Sequence, residues 1–368
     1  MIPRVAFSRS LALGVCLTAV SACWAGSKDG TLDLYWIDSE GGGSTLIVSP
    51  TGTSVLMDSG NPGVRDPGRI HRVATEVAGL RRIDHLVVTH FHIDHFGGAA
   101  ELAALMPIGE IWDNGLPEKD PDGQATSTWP LTSRPYREIR AAKRHPVKAG
   151  SVVPLGGGES GGVVVPLELR CFMARQEPWR ESPSRREPAQ GLGGPELRSV
   201  DRSDNANSSV WVLTFGGFRF YDGGDVTWNA ETRLVWPEVL VPEVDVYQVT
   251  HHGLDVSNHP RLLAALNPAV SVMNNGPTKG AMGEVFRSLA LLPGLKAQYQ
   301  VHRNVRPDGA TNNCPEAFIA NLGEPCAGAY LRCSVDADGA GYTMSNPSRG
   351  HSARYLVKGH ADRVRRVN

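Results

Sequence analysis

The sequence has no excess of charge of either sign, because 37 lysines and arginines stand against 38 aspartates and glutamates. A balanced chain has no overall basic field to gather nucleic acid, and this one has no acidic tail. After its N-terminal segment it also lacks any apolar run long enough to span a membrane. Of its 368 residues, 41% are hydrophobic, which is enough to fill one large domain or two small ones.

The N-terminal segment has the three parts of a secretory signal peptide. Arg4 and Arg9 supply positive charge, an apolar run covers 11–17, and small residues lead up to Ala25. We therefore predict that residues 1–25 are a leader and that the mature chain is exported to the periplasm or the extracellular space. The stretch Val-Ser-Ala-Cys that ends at Cys23 is similar to a bacterial lipobox, so a lipid anchor on Cys23 is the alternative outcome.

The four cysteines after the leader do not have the spacing of a zinc ribbon; they are Cys171, Cys314, Cys326 and Cys333. An exported chain meets oxidising conditions, so some of these thiols could pair. Cys314–Cys326 is the preferred bridge, because the two residues flank an apolar segment with loop residues at either end. Four reduced, buried thiols are the alternative.

The densest group of potential metal ligands is the sequence Thr-His-Phe-His-Ile-Asp-His at 89–95, directly after an apolar run. Along an extended segment, alternate side chains point the same way, so His90 and His92 can reach one ion. Asp94 and His95 follow at a turn and can reach a second ion. Imidazole and carboxylate are the ligands of catalytic zinc and related metals. A histidine-rich surface turn is the alternative, and this spacing disfavours it.

This motif resembles the His-x-His-x-Asp-His signature of the metallo-β-lactamase superfamily. Three further segments follow the superfamily pattern in order. Asp58 begins a turn that resembles the one supporting the site from behind, and Asp225 matches the aspartate that bridges two metals. His251 matches the last ligand of the second ion and is preferred because it comes first after a strand, with His252 as the alternative.

The resemblance implies an α/β (α+β) fold, a four-layer αβ/βα sandwich over about residues 30–305, with 306–368 as a C-terminal extension. It implies a site at one edge of the sandwich that holds two divalent metal ions, zinc first and manganese as the alternative. It also implies hydrolysis by a hydroxide that bridges the two ions. Asp94 and Asp225 would be the catalytic carboxylates, and Asp94 would also accept a proton.

Within the superfamily, three segments resemble the hydrolase domain of competence-type DNA-internalisation proteins: 38–44, 204–208 and 251–257. The likeness favours a small or polymeric phosphodiester as substrate, with no obligate nucleic-acid partner. The early turn lacks the Gln-Gly-Asp of those proteins, which places their particular substrate in doubt. Carboxylic ester or lactone hydrolysis is the alternative, and a non-catalytic, metal-binding envelope protein is the alternative of another class.

The chain departs from the superfamily pattern in the ligands of the first ion. Many superfamily hydrolases have a third histidine where this chain has Asn205, a weak neutral ligand, which leaves an open coordination position. His145 is the other candidate for that ligand, and it lies in a loop-rich, proline-containing insertion at 114–150 that could roof the site.

Other candidates are less specific. Lys279 could contact an anionic substrate and His302 could donate a proton to a leaving group, although a surface lysine and a packed histidine are the simpler interpretations. A second insertion, about 175–200, is predicted to be a flexible loop or a substrate lid. Its arginines at positions 180, 185 and 186 could contact phosphate.

Overall fold

The structure is a computed structural model that describes residues 29–188 and 194–365. The predicted leader and Cys23 lie outside the described residues, so export and lipidation stay predictions. Among the described residues, no helix is both long and apolar enough to cross a membrane.

The strands alternate with short helices along the chain. In chain order the strands are β1 (Leu32–Trp36), β2 (Thr45–Val48), β3 (Ser54–Met57), β4 (Ile83–Val87), β5 (Ile108–Asp113), β6 (Lys143–Pro146), β7 (Val152–Val153), β8 (Gly158–Ser160), β9 (Val163–Val165), β10 (Leu167–Ala174), β11 (Glu177–Pro178), β12 (Val210–Phe215), β13 (Phe218–Asp222), β14 (Val246–Gln248), β15 (Val270–Met273), β16 (Ala297–His302), β17 (Ile319–Asn321), β18 (Leu331–Val335), β19 (Gly341–Asn346) and β20 (His351–Leu356).

The helices are α1 (Arg65–Arg72), α2 (Ile93–Phe96), α3 (Ala99–Leu105), α4 (Trp129–Thr132), α5 (Arg134–Arg137), α6 (Trp228–Thr232), α7 (Pro260–Leu266), α8 (Gly283–Ala290) and α9 (His360–Arg365). A π-helical turn, Val73–Val77, continues α1. Single 3₁₀ turns cover Asp204–Asn207, Thr250–Gly253, Pro307–Ala310, Glu316–Phe318 and Pro347–Arg349.

Two large sheets contain most of these strands. The first has the order β20-β19-β18-β1-β2-β3-β4-β5-β6, and the second has the order β11-β10-β12-β13-β14-β15-β16-β17, with β7 beside β10. In the first sheet the strands from β3 to β6 are parallel, and in the second those from β13 to β17 are parallel. The carboxyl ends of neighbouring parallel strands share one edge of each sheet, where binding residues can gather.

The period of two along the strands divides the core into three layers. In β1, Leu34 and Trp36 join a cluster between the sheets, together with Leu213 and Phe220 of the second sheet. The intervening Tyr35 belongs to a second cluster, in which the outer face of the first sheet packs on α1 and α3. A third cluster joins the outer face of the second sheet to α7 and α8. Helix, sheet, sheet and helix therefore stack in sequence, which confirms the predicted four-layer sandwich.

The C-terminal segment differs from the predicted extension. Strands β18, β19 and β20 belong to the first sheet, and β18 pairs along its length with β1, Leu32 opposite Val335. Strand β17 completes one edge of the second sheet. The apolar strand runs after 306 are therefore parts of the sandwich core, and 306–365 is not a separate unit.

The 114–150 insertion is more ordered than the predicted loop, because it contains α4, α5 and β6. Trp129 and Tyr136 are buried, with ring centroids 5.6 Å from that of Phe96. Since Phe96 ends α2, the helix that contains Asp94 and His95, these two rings of the insertion support the histidine motif from behind.

A buried carboxylate holds the turn that follows β14. Glu231 is fully buried and accepts the backbone N–H of Asn258 at 3.0 Å and of His259 at 2.6 Å. The Asn258 side chain donates to the carbonyls of Thr250 and Leu254, both at 3.0 Å. Burial raises the pKa of Glu231 to about 8.

This carboxylate predicts a pH dependence of stability. Between its ordinary value of 4.5 and about 8, Glu231 keeps a proton in the folded chain that the unfolded chain has released. The free energy of unfolding should therefore fall as pH rises, by at most about 1.4 kcal/mol per pH unit from this group. Glu231→Gln should flatten that part of the profile in urea unfolding, whereas the exposed Glu138→Gln should not. Matching wild-type and Glu231→Gln profiles would contradict the assignment.

Candidate metal centre

The site lies where the ends of β4, β13 and β14 meet across the two sheets. The backbone N–H of Ser209 donates to the Thr89 carbonyl at 2.9 Å and joins the halves. Gly224, with φ +53°, passes so close that a Cβ would lie 2.7 Å from the Thr89 hydroxyl. Only glycine fits this approach without strain, and it delivers the next residue, Asp225, to the motif of the other sheet.

Four side chains converge here: Asp94, His95, Asp225 and His252, with one ligand atom of each within 4.8 Å of the others. The Nε2 atoms of His95 and His252 lie 3.3 Å apart. Each lies 3.2 Å from Oδ2 of Asp225 and 3.5 Å from Oδ2 of Asp94. Two imidazoles and two carboxylates around one point are a ligand set for a divalent transition-metal ion.

The choice between the paired histidines needs correction. The sequence favoured His251 for the second ion, but His252 is the one in this cluster. Both residues have left-handed backbone, with φ of 57° and 56°, so the chain does not leave β14 in the extended form that the preference assumed. His251 Nε2 instead lies on another side of Asp225, 3.4 Å from its Oδ2.

Carboxylates dominate the electrostatics of the cluster. Nδ1 of His95 lies 2.7 Å from Asp58 Oδ2, so Asp58 orients that ring from behind. Burial disfavours a charged ring, but Asp225, Asp58 and Asp94 outweigh it and raise the pKa of His95 well above its ordinary value. Three carboxylates around one buried imidazole favour positive charge at this point, which suits a divalent cation.

His90 is placed to serve the neighbouring position. It is fully buried, its Nε2 has no hydrogen-bond partner, and its ring centroid lies 4.2 Å from that of His95. A buried ring nitrogen without a partner is rare unless it has a ligand. The pKa of His90 is held well below its ordinary value by burial, with His95 adding to the effect, so the ring is neutral and able to bind metal.

His92 lies beside His90, with ring centroids 4.8 Å apart, but its Nε2 faces the carboxylate of Asp122 at 3.1 Å. Asp122 also accepts the backbone N–H of Asp204 at 2.8 Å, and Asp204 accepts that of Phe91 at 2.7 Å. Sequence reasoning missed both aspartates. Asp122 stands in a polar turn of the insertion, and nothing in its spacing signals a role.

Asn205 occupies the rim of the same region. It lies in the 3₁₀ turn Asp204–Asn207, and its amide nitrogen is 3.4 Å from Nε2 of His251. Its buried amide oxygen has no hydrogen-bond partner. Nδ1 of His251 lies 3.0 Å from the Ser257 hydroxyl, and burial lowers the pKa of His251 to about 4. An amide oxygen and a neutral imidazole thus complete the polar lining beside Asp225.

Lys279 contacts the centre itself. Its Nζ lies 2.5 Å from Oδ2 of Asp94, and 39% of its side chain is exposed. Although burial opposes ionisation of Asp94, His95 and Lys279 outweigh it and hold the pKa of Asp94 well below its ordinary value. Lys279 therefore places a mobile positive charge next to the four-residue cluster.

Two other candidate site residues lie away from the centre. His145 is stacked on Trp112 at 3.8 Å and lies 2.9 Å from Glu110, so it is not the third ligand. His302 is fully buried outside the centre and reaches no leaving group there.

Two of the three predicted phosphate-contacting arginines have other partners. Arg185 pairs with Glu238 at 2.5 Å, and Arg186 donates to the carbonyls of Val241 and Ala265 at 2.6 and 2.8 Å. The preferred Cys314–Cys326 bridge is absent, because all four cysteines in the described part of the chain are free.

The residues present fit a metal centre. Asp94, His95, Asp225 and His252 fit one ion. The unpartnered Nε2 of His90 and the unpartnered oxygen of Asn205 leave two donors near the same aspartate for another. His92 would need to turn from Asp122 to join them. Hydrogen bonding alone leaves these buried donors unsatisfied, whereas metal ligation would use them.

A cleft of about 510 Å³ opens beside Asn205 and His251. The remainder of its lining is Arg198, Ser199, Val200, Asp201, Arg202, Ser203, Thr227, Trp228, Asn229 and Val256. Arg198, Ser199 and Val200 belong to the end of the second predicted insertion, which therefore forms part of this wall.

Comparison with known proteins agrees with this description. Residues 39–169, which contain the histidine motif, match the family model of the metallo-beta-lactamase superfamily. The sandwich is the metallo-β-lactamase fold. No curated protein sequence matches this chain.

Several solved structures are similar at low sequence identity. A metallo hydrolase from the archaeon Ignicoccus hospitalis is 13% identical, with 73% of this chain and 94% of that chain covered, at a TM-score of 0.41. A putative metal-dependent hydrolase from Parabacteroides distasonis is 14% identical, with 72% of this chain and 91% of that chain covered, at a TM-score of 0.38. CmlA, a diiron beta-hydroxylase from Streptomyces venezuelae, is 16% identical to this chain, at a TM-score of 0.40. The match covers 73% of this chain but only 52% of CmlA. Likenesses this weak assign no activity.

The four-residue cluster leads us to expect that His252 is a metal ligand. His252→Ala should bind one ion per chain fewer than the wild type after zinc reconstitution, because it removes a ligand from the four-residue cluster. His145→Ala is the matched control and should bind as much zinc as the wild type. Elemental analysis of the three proteins measures this directly, and equal zinc in His252→Ala and wild type would contradict the ligand assignment.

A substitution at Asn205 is expected to increase metal affinity. If it stands in the place of a third histidine, Asn205→His should tighten metal binding, because imidazole is a better donor than a neutral amide. Asn205→Ala should cost little affinity, and the histidine variant should turn over more slowly because it closes an open position. Chelator titration of the three proteins measures the affinities. Unchanged affinity in Asn205→His would mean that this side chain does not face an ion.

Proposed function

We propose that the protein is a metal-dependent hydrolase that cleaves phosphodiesters outside the cytoplasm. The observation that carries the proposal is a two-carboxylate, two-imidazole cluster with a cleft next to it. The cleft is lined by His251, which lies 3.4 Å from Asp225 of the cluster, and by the exposed Arg202. The metallo-β-lactamase fold and the likeness of three sequence segments to competence-type hydrolase domains point the same way. The predicted leader supports a location in the periplasm or outside the cell, with the lipid anchor at Cys23 as the variant of that location.

The ligand assignment follows from the donors described above. Asp94, His95 and His252 would hold one ion, His90 and His92 the other, and Asp225 lies where it can serve both. Nitrogen and carboxylate donors favour zinc, with manganese as the alternative. Divalent ions bound here would supply a nucleophile at neutral pH and offset negative charge that develops on the substrate.

The protein side chains complete the chemistry around the scissile group. Neutral His251, at the cleft end of the centre, can exchange a proton with a group that departs into the cleft. Lys279 can leave Asp94 and approach a substrate oxygen, since its stem is flexible and partly exposed. Asp94 is held ionised, which suits a metal ligand, but its low pKa makes it a weak proton acceptor.

The cleft wall favours an anionic substrate with a planar group. Arg198 stacks its guanidinium 3.6 Å from the centroid of Trp228 and pairs with Glu284 at 3.0 Å, so it is a fixed part of the wall. Arg202 is exposed and makes no hydrogen bond or ion pair to any residue that the structure describes. An exposed guanidinium in the cleft that His251 and Asn205 also line is suited to a phosphate oxygen.

A substrate screen tests the proposal. Mature protein loaded with zinc or manganese should hydrolyse bis(p-nitrophenyl) phosphate faster than p-nitrophenyl acetate or a chromogenic lactone, and His252→Ala should lose that activity. Ester or lactone hydrolysis without phosphodiester hydrolysis would replace the proposed substrate class. Metal binding without any turnover would favour the non-catalytic envelope protein.

Arg202 predicts how the phosphodiester is held. Arg202→Ala should raise KM for bis(p-nitrophenyl) phosphate about tenfold, the effect of losing one charge-assisted hydrogen bond, with kcat little changed. KM for a neutral ester should not move. The exposed Arg349→Ala, on the connection between β19 and β20, is the matched control. An equal effect of Arg202→Ala on charged and neutral substrates would refute a phosphate-binding role.

A further inference from the structure

A second group of potential metal ligands lies outside the centre described above. Asp38 follows β1, His302 ends β16, and Cys326 lies in the loop before β18. One ligand atom of each lies within 4.8 Å of the other two. These residues are far apart in sequence, so only the fold brings the carboxylate, the imidazole and the thiol together.

One member of this group, His302, has a ring nitrogen that no hydrogen bond satisfies. Asp38 and His302 have 0% of their surface exposed. Nε2 of His302 is buried and forms no hydrogen bond, and Oε1 of Glu324 lies 3.0 Å from it. A buried imidazole nitrogen in that state calls for a ligand.

The local charge is negative. Asp38, Glu40 and Glu324 surround the cluster, and Arg69 is the cation that contacts it. The guanidinium lies 3.2 Å from Oδ2 of Asp38 and 3.0 Å from Oε1 of Glu40. It also lies 3.2 Å from the sulfur of Cys326, where it favours the thiolate once that forms. Arg65 also pairs with Glu40, at 2.6 Å. Three carboxylates therefore face two guanidiniums, and the local charge stays negative by one.

Two other roles for Cys326 are disfavoured. A disulfide is absent, since Cys326 is free and has no cysteine beside it in the described part of the chain. A nucleophilic thiol is also disfavoured, because burial and the Asp38 carboxylate, 3.1 Å from Sγ, raise the pKa of Cys326 to about 11. A thiol in this setting ionises when a metal ion displaces its proton.

We propose that Asp38, His302 and Cys326, with Glu324 as a fourth ligand, bind one divalent ion of the zinc class. Thiolate, imidazole and carboxylate together favour zinc over magnesium or calcium, which prefer oxygen alone. Four protein ligands close the coordination shell, so the ion would be structural.

An ion at this position would connect two loops of the fold. Asp38 begins the turn 38–43, and the N–H of Gly43 donates to the carbonyl of Asp94 at 3.0 Å. His302 accepts, through its carbonyl, the side-chain N–H of Asn275 at 2.7 Å. An ion that ties Asp38 to His302 would therefore fix two loops that border the catalytic centre, while itself lying outside that centre.

Cobalt substitution tests the proposal, because the catalytic centre contains no cysteine. Full-length protein titrated with Co²⁺ should develop a thiolate-to-cobalt charge-transfer absorption in the near ultraviolet. Cys326→Ser should abolish that absorption and retain the visible ligand-field bands of cobalt in the catalytic centre, which also report correct folding. Cys314→Ser, a partly exposed cysteine outside the cluster, should retain both.

A second variant strengthens the test. His302→Gln should weaken the cobalt affinity of the thiolate site at least about tenfold, since it removes a nitrogen donor. Absence of the charge-transfer absorption in the wild type, or its persistence in Cys326→Ser, would overturn the proposal. The result is independent of the proposed function, because charge-transfer absorption in the wild type with no visible bands left in Cys326→Ser would count against the catalytic centre alone.

Discussion

The buried carboxylate of Asp225 is the constraint around which the site is arranged. It comes from the second sheet, yet its Oδ2 faces Nε2 of His95 from the first sheet and Nε2 of His252 from its own, both at 3.2 Å. An ionised carboxylate without solvent needs such partners. The attraction that holds this group therefore fixes how the two sheets meet at this edge, and Gly224 is what allows the backbone to come close enough.

Much of the architecture could be predicted because its causes are local. The period of two in the strands, the glycine-rich turns and the ligand spacing at 89–95 each act over a few residues, and the predicted sandwich agrees with the observed one. The spacing of Ile70, Val73 and Val77 is helical, and α1 with its π-helical turn covers these positions, from Arg65 to Val77.

The site predictions that were wrong concern residues whose surroundings are set by the folded chain. The sequence favoured His251 where the structure has His252. The reason is that both residues have a left-handed backbone, a conformation that a sequence pattern of histidines does not encode. His145 has suitable chemistry, but stacking on Trp112 turns it away. Asp122 has no motif around it and reaches His92 only because the insertion folds back. The histidines could be identified from the sequence although their surroundings could not, whereas Asp122 could not be identified at all.

The pairing of β18 with β1 has a consequence for how the chain folds. Leu32 and Val335 are opposite each other in the register, so the first sheet cannot close until almost the whole chain is available. Contacts of such large sequence separation slow folding and leave strand edges open in the meantime. During synthesis β1 has only β2 on one side, and its other edge stays unpaired. If the chain is exported as predicted, that late closure keeps it unfolded for longer, which is the state in which a polypeptide is threaded through a translocation pore.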